Sequence, residues 1–108
     1  ASSYGASYTA NDILGIAVDL DSATKTVTFY KNEASQGVIN LPTTGTGTFF
    51  IGTSSTNNGK SSINFGNGYF GTTAVASGNA DGAGYGIFEY APPTGYYSLC
   101  TKNINTYG

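Results

Sequence analysis

Few side-chain types carry chemistry in proteins, and this chain is sparing with most of them. It holds six acids, Asp12, Asp19, Asp21, Glu33, Asp81 and Glu89, together with four lysines and one cysteine, Cys100, and it has neither histidine nor arginine. Without histidine, no Ser-His-Asp or Cys-His nucleophile can be assembled within the chain, and no zinc site can be built on imidazole. Asp19 and Asp21 stand two apart and so share one face of an extended segment, an arrangement that invites calcium. Two carboxylates are too few for an ion that takes roughly six to eight oxygens, and the turn chemistry of a hairpin accounts for both acids. Asn79-Ala80-Asp81-Gly82 also offers side-chain and backbone oxygens, but an Asx-type turn explains the same four residues with less. No metal ligand set and no cofactor is therefore expected. A glycosidase needs two carboxylates held a set distance apart across a sugar. Glu33 and Glu89 are the acids least obviously structural, yet nothing in the sequence places them together, and Glu33 falls in a hairpin turn where a solvated charge is routine. No residue is assigned a catalytic role.

The aromatic residues divide into two groups. Phe29, Phe49, Phe65 and Phe88, with Leu99, read as core. Tyr69 and Tyr85 fall within a Gly-rich stretch, 67–86, where no strand face claims them. A tyrosine ring offers a flat platform for a sugar and a hydroxyl for hydrogen bonding. It also serves in a small satellite cluster beneath a long loop. Tyr69 and Tyr85, with Asn79 and Asp81 between them in sequence, are the candidate ligand-binding residues.

The elements that must position these side chains are short and extended. Leu14, Ile16, Val18 and Leu20 alternate with Gly15, Ala17 and Asp19, and a period of two predicts a strand. Residues 21–24 supply turn chemistry, after which Val27 and Phe29 alternate with Thr26, Thr28 and Tyr30 to complete a hairpin. A second turn at Lys31-Asn32-Glu33 returns the chain through residues 35–39. Leu14, Ile16, Val18, Leu20, Val27 and Phe29 are expected on an inner face. Further strands are expected at Phe49-Phe50-Ile51, over 62–65 with Ile63 and Phe65 inward, over 87–90 and over 96–100. Since a structureless loop of about 20 residues would be unusual in a compact domain, some local structure is expected near 73–76.

The composition agrees with this reading. Nearly half of the 108 residues are Gly, Thr, Ser or Asn, while nine Tyr and six Phe suit pleated, half-buried strands. A net charge of -2 with no arginine argues against a nucleic-acid partner. No apolar run approaches the roughly 18 residues that span a bilayer, so membrane insertion is not expected. The length suits one domain, 1–108. Ala1 is not an initiator and Met is absent, so the chain reads as a segment of a longer one. About seven short strands separated by turns predict an all-β antiparallel β-sandwich.

Four ordered segments carry a family resemblance. Asn11-Asp12-Ile13-Leu14-Gly15-Ile16-Ala17-Val18-Asp19-Leu20-Asp21 is followed by Val27-Thr28-Phe29-Tyr30-Lys31-Asn32 with Ser35-Gln36-Gly37, then by Ile63-Asn64-Phe65-Gly66, and finally by the run Pro93-Thr94-Gly95-Tyr96-Tyr97-Ser98-Leu99-Cys100-Thr101-Lys102-Asn103. Together they resemble the later half of the SPRY domain over about positions 8 to 104. The resemblance implies a lectin-like, concanavalin- or jelly-roll-type sandwich whose end loops contact partners, in a family of non-catalytic binding modules.

Two departures from the family pattern carry further implications. The strands that precede the first motif in the family are missing from these residues, so one sheet lacks part of its complement. The family's short connection after Asn64-Phe65-Gly66 is expanded here to residues 67–86, a form similar to SPRY-type domains of bacteriophage structural proteins. The resemblance thus implies a virion protein, on a tail fibre or capsid appendage, that recognises a host-surface glycan or a neighbouring virion protein. It would act within a longer chain or a homo-oligomeric assembly. The reading from another class is a carbohydrate-active enzyme or its accessory carbohydrate-binding domain.

Overall fold

The computed structural model describes residues 4–42 and 60–107. The expected strand at Phe49-Phe50-Ile51 and the core role of Phe49 lie outside the described residues. The chain divides into two compact units, Ala1–Gly47 and Thr48–Gly108. Among the described residues, regular structure is mostly antiparallel strand, with one short helix. This makes the chain a small all-β protein. No helix among the described residues is long and apolar enough to cross a membrane.

The first unit is a meander of β1 (Leu14–Asp19), β2 (Thr26–Lys31) and β3 (Ala34–Asn40), with β2 in the middle. β1 and β2 pair without interruption from Leu14↔Lys31 to Asp19↔Thr26. Asp19 closes the first turn, its carboxylate accepting from the N–H groups of Asp21 at 3.0 Å and Ser22 at 3.1 Å and from the Ser22 hydroxyl at 2.7 Å. The second turn is a two-residue loop in which Asn32 and Glu33 have φ of 47° and 77°. Both angles belong to the type I′ geometry that matches the twist of flanking strands. Asn32 adds a tie back to β1, accepting from the Ile13 N–H at 2.9 Å and donating to Asp12 at 2.8 Å.

The β1–β2 register places Leu14, Ile16, Val18, Val27 and Phe29 on one face, as alternation predicts. That face is not an interior. Leu14, Leu20 and Ile16, the last at 42%, are exposed, while Val18, Val27 and Phe29 are half-buried. The most buried side chains of this unit are Ala17 and Thr28, a cross-strand pair on the opposite face. On the apolar face, Tyr4 meets Phe29 edge-on with ring centroids 5.7 Å apart.

The second unit has a small hairpin, β4 (Tyr69–Phe70) with β5 (Thr73–Ala74), an isolated antiparallel bridge between Asn79 and Phe88, and α1 (Thr101–Tyr107). The hairpin meets the expectation of local structure near residues 73–76. The expected strands over 62–65, 87–90 and 96–100 do not form ladders, apart from the single bridge at Phe88. Polar side chains explain the difference, because Asn64, Asn79 and Asp81 take up backbone groups of these segments that a ladder would otherwise use. Asn64 Oδ1 accepts from the N–H of Gly66 at 2.7 Å and of Gly68 at 3.3 Å, while its Nδ2 donates to Ile87 O at 2.9 Å. Asn64 therefore turns inward and its neighbours turn out: Ile63 is exposed, and so is Phe65 at 50%. Ser98 is likewise drawn inside, leaving Leu99 66% exposed. Phe65 and Leu99 are thus not core residues, whereas Phe88 is half-buried against Gly66 and Gly86.

Candidate functional site

Residues 67–86, expected to carry the recognition surface, are held by two polar hubs. The first is Asn79, whose side-chain amide donates to Ser77 Oγ at 3.2 Å, Phe88 O at 3.3 Å and Glu89 O at 2.8 Å. Its backbone exchanges two 2.9 Å bonds with Phe88. The second is Asp81, only 6% exposed. Asp81 Oδ1 accepts from the N–H groups of Ala83 at 2.8 Å and Tyr85 at 3.0 Å, which is the Asx-type turn its surroundings predict. Asp81 Oδ2 accepts from the Ser98 N–H at 2.8 Å, the Ser98 hydroxyl at 2.9 Å and Asn103 Nδ2 at 2.8 Å. One carboxylate thus fastens the loop to the 96–100 segment and to the first turn of α1.

The electrostatics of Asp81 follow from this arrangement. Burial penalises the charged form, but the N–H donors of Ser98 and Tyr85 and the side chains of Asn103 and Ser98 together outweigh it, holding the carboxyl far below the usual carboxylate range. It is an ionised, fully occupied acceptor and has no lone pair to spare for proton transfer. Asn103, at 4% exposure, also donates to Ser98 O at 2.9 Å, and its buried Oδ1 has no hydrogen-bond partner among the described residues.

Cys100 precedes α1, and its carbonyl accepts the Ile104 N–H at 3.0 Å. Its thiol is drawn below the usual range by the N–H of Asn103 and the hydroxyl of Ser98, the latter 3.6 Å from the sulfur. Among the described residues no group of three or more Cys, Asp or Glu is placed to hold a metal ion. Of the acids considered for calcium, Asp19, Asp21 and Asp81, Asp19 accepts from turn donors, and Asp81 divides its oxygens between its Asx turn and the Ser98 and Asn103 groups.

Of the four residues singled out in sequence, Asn79 and Asp81 are turned into the protein and Tyr69 and Tyr85 are turned out, at 48% and 37% exposure. The opposing possibility, a buried satellite pair of tyrosines, does not describe them. Ser98, Asn103 and Asn64 were missed as organisers. Polar residues scattered between aromatics carry no periodic signal, and Asn103 stands out only in that it closes the last motif. A second feature, also missed, is a cleft of about 240 Å³ in the first unit. It lies between residues 4–8 and the sheet, and Tyr4, Tyr8, Leu14 and Phe29 contribute to its lining. Three ties hold its rim: Tyr4 donates its hydroxyl to Gly37 O, the Ala6 N–H donates to Gln36 at 2.8 Å, and Lys31 Nζ donates to Ser7 O at 2.7 Å.

Comparison with family models, with curated proteins and with solved structures finds no match to this chain.

Proposed function

We propose that the chain is a non-catalytic recognition module, a SPRY-like sandwich of a bacteriophage virion protein, in which the stretch 67–86 contacts the partner. The observation that carries this reading is the division of labour within that stretch. Its carboxylate and amide are consumed in fixing the backbone, and its two tyrosines are left on the surface. A loop fixed by buried hydrogen bonds and carrying exposed aromatics binds with little further ordering, which is how recognition loops on rigid scaffolds gain affinity. In this reading Tyr69 and Tyr85 touch the partner, while Asn79 and Asp81 hold them from beneath. The partner is a host-surface glycan or a neighbouring virion protein. The resemblance of the four motifs supports the sandwich, and the expanded connection over 67–86 supports the virion setting. The carbohydrate-active alternative would draw on Glu33, which sits in the β2–β3 turn, and on Glu89, which accepts the Ala76 N–H at 2.6 Å.

The test is a Tyr69→Ala, Tyr85→Ala double variant, measured for melting and for attachment to host cells or to virions. Retained melting with lost attachment is expected. A lost fold, or attachment equal to wild type, rejects the assignment, and release of reducing sugar from host polysaccharide by the wild-type protein would move the chain to the enzymatic class.

A further inference from the structure

The two outer strands of the meander end in different kinds of edge. β3 is interrupted at its middle: its register with β2 shifts between Thr28 and Tyr30, and Gly37 has φ of 108°. The Gly37 N–H donates to Ser35 Oγ and its carbonyl accepts the Tyr4 hydroxyl. Bulges and occupied backbone groups are devices that stop further strands from adding. β1 has none of them. Its six residues pair with β2 in unbroken register. Because the Asn32 N–H donates to Ile13 O at 2.9 Å, the period of two assigns the backbone groups of Gly15, Ala17 and Asp19 to β2. Those of Leu14, Ile16 and Val18 point the other way, and they have no hydrogen-bond partner among the described residues.

We propose that β1 is a dimerisation edge, and that it pairs antiparallel with β1 of a second copy about a two-fold axis through Ile16. The backbone admits only registers that set outward residues against outward residues, and an axis through Ile16 is the one that uses all three of Leu14, Ile16 and Val18. With Ile16 opposite Ile16 of the other copy, Leu14 meets Val18 and Val18 meets Leu14, so each outward residue faces an outward residue and exchanges two hydrogen bonds with it. Any one-residue slip sets outward groups against groups already bonded to β2. The charges accept the same register: Asp12 falls opposite Leu20, Asp19 opposite Ile13 and Asp21 opposite Asn11, so no acid meets an acid. The side chains accept it too, since the exposed apolar face of Leu14, Ile16 and Val18 runs on into its own copy, and the two meanders become one six-stranded sheet. A self-complementary patch of this kind is what a two-fold interface requires. The dimer does not depend on what the 67–86 stretch recognises.

The experiment is a charge swap at the axis, using the full chain. Ile16 is exposed in the single copy, so Ile16→Lys and Ile16→Glu should each fold. Light scattering coupled to gel filtration is expected to give a dimer for wild type, a monomer for each variant alone and a dimer for their equimolar mixture, because only residues that face each other across the axis can exchange repulsion for attraction. A monomeric wild type at sub-millimolar concentration, or a mixture that stays monomeric, overturns the proposal. Amide exchange on wild type provides a check that needs no variant. Protection of the Leu14, Ile16 and Val18 N–H groups should rise with protein concentration, and a dimer that leaves these three amides unprotected also overturns it.

Discussion

Replacing Asp81 by Asn keeps the shape of the side chain and removes its charge, so it isolates what the carboxylate contributes. In the native protein five donors converge on two oxygens. An asparagine must turn an NH2 group toward one of the two donor sets, facing either Ser98 and Asn103 or the N–H groups of Ala83 and Tyr85. At least two donors then lose their acceptor, at about 1–3 kcal/mol each, giving a total of about 2–6 kcal/mol. For a domain of this size that corresponds to a fall in Tm of about 8 °C or more. Acid makes the same change reversibly. The native carboxyl lies below its unfolded value of 3.8, so its stabilisation is complete above that value and drains away as pH falls below it. Urea denaturation of wild type between pH 7 and pH 2 should therefore show a loss of stability below about pH 4 that is much reduced in Asp81→Asn. An Asp81→Asn protein that melts within about 3 °C of wild type, or that keeps the full acid dependence, would refute the account of Asp81 as the unit's main tie.

Two further outcomes follow from backbone geometry. Glu33 holds φ of 77° in the β2–β3 turn, a conformation that disfavours a side chain, so Glu33→Gly should raise stability by about 0.5–1 kcal/mol, read as an increased urea midpoint at unchanged slope. Gly86 has φ of 89°, and a Cβ there would run into the Phe88 ring; Gly86→Ala should cost about 2–4 kcal/mol by thermal melting, and near-neutral behaviour would contradict the packing of Phe88 against this turn.

The first unit was largely legible in the sequence and the second largely was not. Strict alternation from Leu14 to Leu20 and from Thr26 to Tyr30 marks the strands, and Asn32-Glu33 marks the turn, because these features are local and repeat every second residue. What alternation cannot report is whether a face is covered, and the Leu14, Ile16 and Leu20 side chains remain on the surface. In the second unit, organisation rests on single side chains that reach far along the chain: Asn64 to Ile87, Asn79 to Glu89, and Asp81 to Ser98 and Asn103. Such contacts leave no period. They also invert the apparent pattern, since the residue drawn inward is the polar one, and Phe65 and Leu99 turn outward beside it. The Asx turn at Asp81 was legible because its partners lie within four residues, whereas the tie to α1 was not.

The tie between Asp81 and Asn103 also bears on the order in which the second unit forms. Seven residues rich in Asn and Thr, without a charged pair or an alanine, are too short and too poor in helix formers to hold α1 as an isolated segment. The helix persists because its third residue, Asn103, is gripped by a carboxylate 22 positions earlier. Its formation therefore waits on closure of the 81–103 loop, and its helicity tracks that closure rather than any preference of its own.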